Sequence, residues 1–348
     1  MKISENMKRQ DLVIVESPFQ LLCGIEAQHH FSSEKPILIV KYTREKKNND
    51  QIDKLLATST WHSIIKFRTY FFISFSELFI IPYMAWMKWT RRKFRNIFLG
   101  ESRNAVLQAF VANLQHENTF LLDDGNATYF VQSELKAGKS LHELVIQGKY
   151  NRIFTNLYYR ILGVKSKVFS VPFWFTCFDI EPIEGQKIYI NNFASLRSKY
   201  LDKKDSDESR FYFIGGNLSE AGVLPLSEEL RLLELIFVSS LREGKKILYC
   251  VHRRESEEKL KLILKIDDNI SLRQAQYPLE LDLVFEGTPI HKVASFYSSA
   301  LITIKKIFNP ADCKMYIIPQ QFIAAPYKNE INSIYSNYAS QIESIKLI

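Results

Sequence analysis

Asp123 and Asp124 stand side by side where an apolar run, Asn118 to Leu122, stops, and Gly125 follows at once. Two adjacent carboxylates resist ionising together, so each raises the other's pKa. That is one route to a general base that works near neutral pH. Open α/β sheets keep their chemistry at strand ends of this kind. Read locally, the same residues are an Asx turn leading to a helix cap. Asp124 is the leading candidate for the base because it adjoins the glycine turn, with Asp123 as the alternative.

Three further groupings bear on chemistry. In Tyr249-Cys250-Val251-His252-Arg253-Arg254-Glu255 a histidine sits just past an apparent strand, beside two arginines. His252 and Arg253 could donate to a phosphate oxygen; the plainer alternative is a solvated loop with an Arg–Glu pair. Ser298 and Ser299 lie at the junction of an apparent helix and strand, where two hydroxyls and backbone N–H groups could meet a phosphate, or simply close a helix C-terminus. Gly215, Gly216 and Asn217 follow a strand and allow a ligand close to the backbone. They form neither GxGxxG nor a Walker motif. There is no GxSxG elbow. His29, His30, His62, His116, His142 and His291 show no metal-ligand spacing, so no metal is expected.

Strands and helices must alternate to hold these groups. Leu12–Val15, 36–40, 96–99 and 118–122 read as strands, with helices over 19–30, the aromatic segment and 104–114. Such alternation implies a parallel sheet. The pattern restarts at Phe211–Ile214, followed by a helix over 226–241, a strand over 246–250 and a helix over 256–264. Leu281–Phe285 reads as a strand, Pro289–Ser298 as a helix and Ala300–Ile304 as a strand. The expected organisation is an α/β N-terminal domain over 1–195, a polar linker over 196–210 and a second Rossmann-like domain over 211–330. A C-terminal helix over 331–348 could cross back to the first domain.

The chain's 348 residues suit two domains. A net charge of +8 suggests an anionic partner. No nucleic-acid module is recognisable, so nucleic acid is set aside. Cys23, Cys177, Cys250 and Cys313 are scattered and read as buried thiols of a cytoplasmic protein. The polar N-terminus shows no signal-peptide core. Tyr70–Trp89 is long and aromatic, but Glu77, Pro82 and Lys88 argue against a membrane span. With Trp86 and Trp89 beside Arg91, Arg92 and Lys93, it suits either an anionic membrane surface or a helix packed on the sheet.

Together these motifs resemble the bacterial sialyltransferase families of GT-B type, the lipooligosaccharide sialyltransferases and capsule polysialyltransferases. Asp123-Asp124-Gly125 resembles their acidic-acidic-Gly motif. His252 resembles their His-Pro motif, with Arg253 where proline is usual. Ser298-Ser299 resembles their serine pair. Val15–Leu22 and Phe285-Glu286-Gly287-Thr288-Pro289 are also similar to segments of such enzymes. The resemblance implies two Rossmann-like domains facing across a cleft, and a CMP-sialic acid or related CMP-nonulosonate donor. It implies inversion at the anomeric carbon, a cell-surface glycan acceptor and no cofactor or essential metal. Asp124 or Asp123 would be the base, and His252 would serve the departing phosphate. Ser298, Ser299, Gly215, Gly216, Asn217, Arg253, Glu286 and Gly287 would lie on the donor side. The composition of the basic and aromatic patch from Trp86 to Arg95, rather than the resemblance, suggests work in the cytoplasm at the inner face of the cytoplasmic membrane. Competing readings are a transferase for another activated sugar, such as Kdo or legionaminic acid, and a non-catalytic, membrane-associated glycan-binding scaffold.

Overall fold

The computed structural model describes residues 10–68, 75–145, 159–165, 167–168, 170–201, 208–287 and 289–347. The polar residues 1–9, the start of the aromatic segment (69–74), most of the charged run (202–207) and Thr288 lie outside them. The chain divides into two compact units, Met1–Asn191 and Asn192–Ile348.

The first unit carries β1 (Gln10–Val15), β2 (Ile37–Lys41), β3 (Ser63–Phe67), β4 (Lys93–Leu99), β5 (Gln115–Leu122), β6 (Phe173–Thr176) and β7 (Ile188–Ile190). Between them run α1 (Pro18–His30), α2 (Lys46–Leu56), α3 (Phe75–Trp89), α4 (Ala105–Asn113) and α5 (Ala127–Lys136). Among the described residues the seven strands form one sheet in the order β3-β2-β1-β4-β5-β6-β7, every neighbouring pair parallel. Continuous apolar runs such as Leu12–Val15 and Ile37–Val40 are buried on both faces, as strands covered by helices on each side must be. On one face Leu12, Ile14, Ile97, Leu121 and Trp174 pack in a cluster with Met84, Met87 and Phe110. On the other, Phe31, Phe98, Phe120 and Phe175 form an aromatic group.

Of the two expected uses of the aromatic segment, the described part shows the helix packed on the sheet. Ile80, Ile81, Met84 and Met87 bury one face of α3 against the sheet, while Phe79, Trp86 and Trp89 are 67, 47 and 81% exposed on the other. No helix among the described residues is long and apolar enough to cross a membrane.

The second unit carries β8 (Arg210–Ile214), β9 (Lys246–Val251), β10 (Ile270–Gln274), β11 (Lys292–Ser295), β12 (Asp312–Ile317) and β13 (Glu343–Lys346). Its helices are α6 (Ala194–Leu201), α7 (Leu226–Arg242), α8 (Glu257–Leu264), α9 (Leu279–Glu286), α10 (Ala300–Phe308) and α11 (Lys328–Tyr338). The order is β10-β9-β8-β11-β12-β13, again parallel throughout.

Several expectations are corrected. Leu281–Phe285 lies in helix α9, not a strand. Its alternating Leu-Glu-Leu-Asp-Leu imitates a strand, but Pro278 precedes the helix and Gly287 closes it in the left-handed conformation at φ 72°. The order at 289–304 is reversed: β11 comes first, and Ala300 begins helix α10. Leu301, Ile304, Ile307 and Phe308 are buried at helical spacing, a period that shows only when the window extends past Ile304. The expected linker 196–210 contains most of α6, whose Leu196 is buried, and the first residue of β8. The span 331–348 is helical only to Tyr338; β13 then joins β12 in the second unit's own sheet.

Because the two faces of α3 differ, Met84→Ala is expected to cost about 2–5 kcal/mol of stability. Trp89→Ala should stay within about 0.5 kcal/mol of wild type. Equilibrium denaturation of both variants checks the arrangement.

Candidate active site

In a parallel sheet, chain connections that diverge from neighbouring strands leave a crevice at their C-terminal ends. In the first unit that point lies between β1 and β4. The residues leaving both strands, together with those leaving β5, form one hydrogen-bonded polar group.

Its geometry begins at the start of α1. Ser17 caps the helix, its Oγ accepting from Gln20 N at 3.2 Å, and Pro18 occupies the first turn. Gln20 Oε1 accepts in return from Glu16 N at 2.8 Å and Ser17 N at 3.3 Å. With its oxygen held, Gln20 turns its Nε2 to donate to Asp124 Oδ1 at 2.8 Å. Gly100, just past β4, makes room for this: a Cβ there would lie 2.6 Å from Gln20 Oε1. Arg103 donates to Asp124 Oδ2 at 2.9 Å and makes two 3.1 Å contacts with Glu101. Glu16 pairs with Lys41 at 2.7 Å and accepts from Asn104 at 3.1 Å.

The two aspartates are not equivalent. Asp123 is fully buried. Its Oδ2 accepts from Cys177 N at 2.7 Å, tying the end of β5 to the residue after β6, and Thr128 donates to its Oδ1 at 3.4 Å. Asp124 is one quarter exposed, with both oxygens oriented by Gln20 and Arg103. Burial pushes Asp123 up to about 6, against its hydrogen-bond donors. Asp124 is pushed up to about 7, by burial first and then by the Glu101 carboxylate, against Gln20 and Arg103. The acid that raises Asp124 is therefore Glu101, not Asp123 as the adjacent pair suggested.

In the second unit the strand order diverges between β8 and β11. Gly215-Gly216-Asn217 leaves β8, His252 leaves β9, and Ser298-Ser299 leaves β11. The serines thus stand at the N-terminus of α10 rather than at a helix C-terminus. Ser298 Oγ accepts from Ala300 N at 3.3 Å. The positive end of this helix adds to what the hydroxyls can offer an anion. Ser295 Oγ donates to Ile214 O at 2.8 Å, joining β11 to β8 where their exits part.

The His252 loop is not a solvated Arg–Glu turn. Glu255 is paired with Lys259, whose Nζ lies 2.9 Å from its Oε1, and both side chains are buried. His252 Nδ1 accepts from Arg254 N at 3.4 Å, which leaves Nε2 to carry the proton of the neutral ring.

Gly215 is buried, and a Cβ there would meet Glu255 Oε2 at 2.6 Å and Tyr249 Oη at 2.7 Å, so its missing side chain serves the protein's own packing. Arg253 is partly exposed on the same loop as His252. Glu286 and Gly287 lie at the end of α9. Glu286 is ion-paired with Arg210, at 2.7 Å, and with Arg273, and Gly287 caps α9. Trp86, Trp89, Arg91, Arg92 and Lys93 are exposed at the end of α3 and the start of β4. The four cysteines are buried and none is disulfide-bonded. Among the described residues no group of three or more His, Cys, Asp or Glu could hold a metal ion.

Sequence reasoning missed Gln20, Glu101 and Arg103 as partners of Asp124. The Ser17–Gln20 capping spacing and the acid just past β4 were the available signals. Lys259 gave none, since a lysine four residues after a glutamate usually marks a solvated helix face.

Two parallel Rossmann-like units, with acids at strand exits of the first and a histidine and serine pair at those of the second, define an α/β protein of GT-B type. The sequence matches the family described as alpha-2,8-polysialyltransferase over residues 11–316, and the chain belongs to that family. It is accordingly a glycosyltransferase of the sialyltransferase kind. No curated protein matches the sequence. Among solved structures, UDP-GlcNAc 2-epimerase from Methanocaldococcus jannaschii shares the fold, with 10% identity, 97% of this chain and 88% of that chain covered, and a TM-score of 0.51. ADP-heptose LPS heptosyltransferase II from E. coli is also similar, with 10% identity, 97 and 91% coverage and a TM-score of 0.41. So is MurG from Acinetobacter baumannii, with 10% identity, 97 and 86% coverage and a TM-score of 0.44.

Because Asp124 is held above its ordinary 3.8, the folded state binds more protons than the unfolded one between about pH 4 and 7, and stability falls as pH rises through that window. Asp124→Asn removes this effect, so it is expected to raise Tm at about pH 8 and to give no gain at about pH 4. Asp123→Ala should lower Tm at about pH 4, by about 1–3 kcal/mol of stability, because Cys177 N–H loses its acceptor in the interior, and by less at about pH 8, where removing the raised Asp123 carboxylate offsets part of the loss. Thermal melts at the two pH values distinguish the aspartates.

Proposed function

We propose that this protein transfers sialic acid from CMP-sialic acid to a hydroxyl of a cell-surface glycan, with inversion and without a metal. The observation that carries the reading is the setting of Asp124, a partly exposed carboxylate aimed by Gln20 and Arg103 and pushed up to about 7. Such a group accepts a proton from an acceptor hydroxyl at neutral pH, and losing a general base costs about 100- to 10,000-fold. Asp123, enclosed and committed to Cys177 N, keeps a structural part in this reading.

On the second unit, His252 offers Nε2–H to the phosphate of the departing CMP. Ser298, Ser299 and the N-terminus of α10 take up its charge. A monophosphate leaving group met in this way does not require a divalent ion, which supports metal independence. Gly216 and Asn217 border the same strand exits.

A CMP-release assay with CMP-sialic acid, galactose- and sialic-acid-terminated acceptors and EDTA tests the reading. Acceptor-dependent release that persists in EDTA is expected. It should fall about 100-fold or more in Asp124→Asn and rise with pH through about 7 in wild type. His252→Ala should collapse release as well. Full activity in Asp124→Asn would overturn the mechanism. Tight CMP binding without release would redirect the donor to another CMP-activated acid sugar. Absence of both binding and release would favour a glycan-binding scaffold.

The reading includes work at an anionic membrane surface. Phe79, Trp86 and Trp89 form an exposed aromatic face on α3. Arg91, Arg92 and Lys93 are exposed beyond its end. Lys88 Nζ donates to Gly163 O at 2.6 Å, bringing up a segment with exposed Arg160, Ile161, Lys165 and Lys167. Aromatic rings among cations match a bilayer's anionic headgroup layer. Co-sedimentation should occur with phosphatidylglycerol vesicles and weaken with salt, and a Trp86→Ala, Trp89→Ala double variant should lose it. Equal binding to purely zwitterionic vesicles, or none to either, would remove the membrane from the proposal.

A further inference from the structure

His252 leaves β9 on a loop in which Arg253, not a proline, follows it. Proline would fix its own φ and hold the residue before it in extended backbone. Arg253 does neither, so something else must hold the histidine.

Both backbone groups of His252 end on one residue. Its N–H donates to Glu255 Oε2 at 2.6 Å, and its carbonyl accepts from Glu255 N at 3.0 Å. The other carboxylate oxygen, Oε1, accepts from Tyr249 Oη at 2.6 Å and lies 2.9 Å from Lys259 Nζ. Lys259 in turn donates to Gly216 O at 2.7 Å, pairs with Glu229 and lies 3.5 Å from Glu220. Glu229 Oε2 accepts from Ser219 N at 3.0 Å, and Glu220 Oε1 accepts from Ser256 N at 2.8 Å. The cluster therefore ties the exit of β8, the exit of β9, the first turn of α7 and the first turn of α8 into one unit. The side chains of Lys259, Glu229 and Glu255 are almost wholly buried. Buried ion pairs of this kind add little net stability, since desolvation offsets their attraction, but they fix geometry.

We propose that Glu255 and Lys259 are positioning residues that hold His252 toward the donor phosphate. Gly215 belongs to the same device, because the space a Cβ would fill is taken by Glu255 and Tyr249. The inference rests on the reading of His252 as the group that serves the leaving phosphate.

Glu255→Gln tests it. The amide keeps one acceptor oxygen where the carboxylate presents two, so either His252 N–H or the Tyr249 and Lys259 pair loses its acceptor. Lys259 keeps Glu229 and Glu220 as counter-charges. The expected result is a fall in kcat of about 10- to 100-fold, as a small misplacement of a reacting group gives, with the acceptor KM unchanged within about 2-fold. Hydrogen exchange at the His252 amide should accelerate in parallel. Adding Arg253→Pro to Glu255→Gln should recover kcat several-fold, which a general loss of stability would not allow. Tyr249→Phe is the second variant if Glu255→Gln fails to fold. It removes one anchor of the carboxylate and should give a smaller loss in the same direction.

Unchanged kcat with an unchanged, protected amide in Glu255→Gln would overturn the proposal. So would a double variant whose proline brings no recovery. The exchange measurement needs no substrate, so it reports on the positioning even if wild type releases no CMP from any donor. Failure of the functional reading and failure of the positioning are thus separate results.

Discussion

A sheet whose strands all run parallel sends every strand end to the same edge, and the rest of this structure depends on that constraint. Each connection must cross back over a face, so both faces are covered by helices and the strands become continuous apolar runs. The polar residues that end those runs collect at one edge. Where neighbouring connections depart in opposite directions, between β1 and β4 and again between β8 and β11, the edge is left open. The acids of the first unit and the glycines, histidine and serines of the second stand at these edges for that reason.

Position at an edge is not yet orientation. In both units orientation comes from polar groups buried beside the exits, and in both a glycine yields its Cβ volume to them. Gly100 makes way for Gln20, which turns Asp124 outward. Gly215 makes way for Glu255, which grips the His252 backbone. The two devices differ in cost. In the Lys259 cluster three carboxylates share one ammonium, and desolvation offsets much of the attraction, so its contribution to net stability is small and its effect is geometric. Asp124 sits beside Glu101 in a setting that disfavours its charge, which lowers stability above its folded pKa while tuning it toward base chemistry. Such a cost is consistent with the base role proposed for Asp124.

Much of the framework was legible in the residues. β1, β2 and β5 declare themselves as short apolar runs, and the acid pair and His252 were found from their places after such runs, whereas the serine pair was found at a junction between an expected helix and strand. The short strands β6, β7 and β13 gave no comparable signal. Four-residue and three-residue strands are defined by the neighbour they pair with, and β7 has no fully buried residue. The exchange of helix and strand around the serines has the same origin. The residues around Ser298 and Ser299 fit either period locally, and only the burial of Ile307 and Phe308 one turn further on selects a helix.

The sequence by itself determined the parallel α/β class, the two-unit plan and the residue types available for chemistry, because these follow from local apolar periodicity and from what ends each run. Only the tertiary structure decided which carboxylate faces outward. Asp123 and Asp124 are chemical equals in the chain, and they part only when Cys177 N meets one and Gln20 and Arg103 meet the other. It also decided that Lys259 is buried among carboxylates rather than solvated on a helix face. Such choices depend on contacts between residues up to 104 positions apart, which no local pattern encodes.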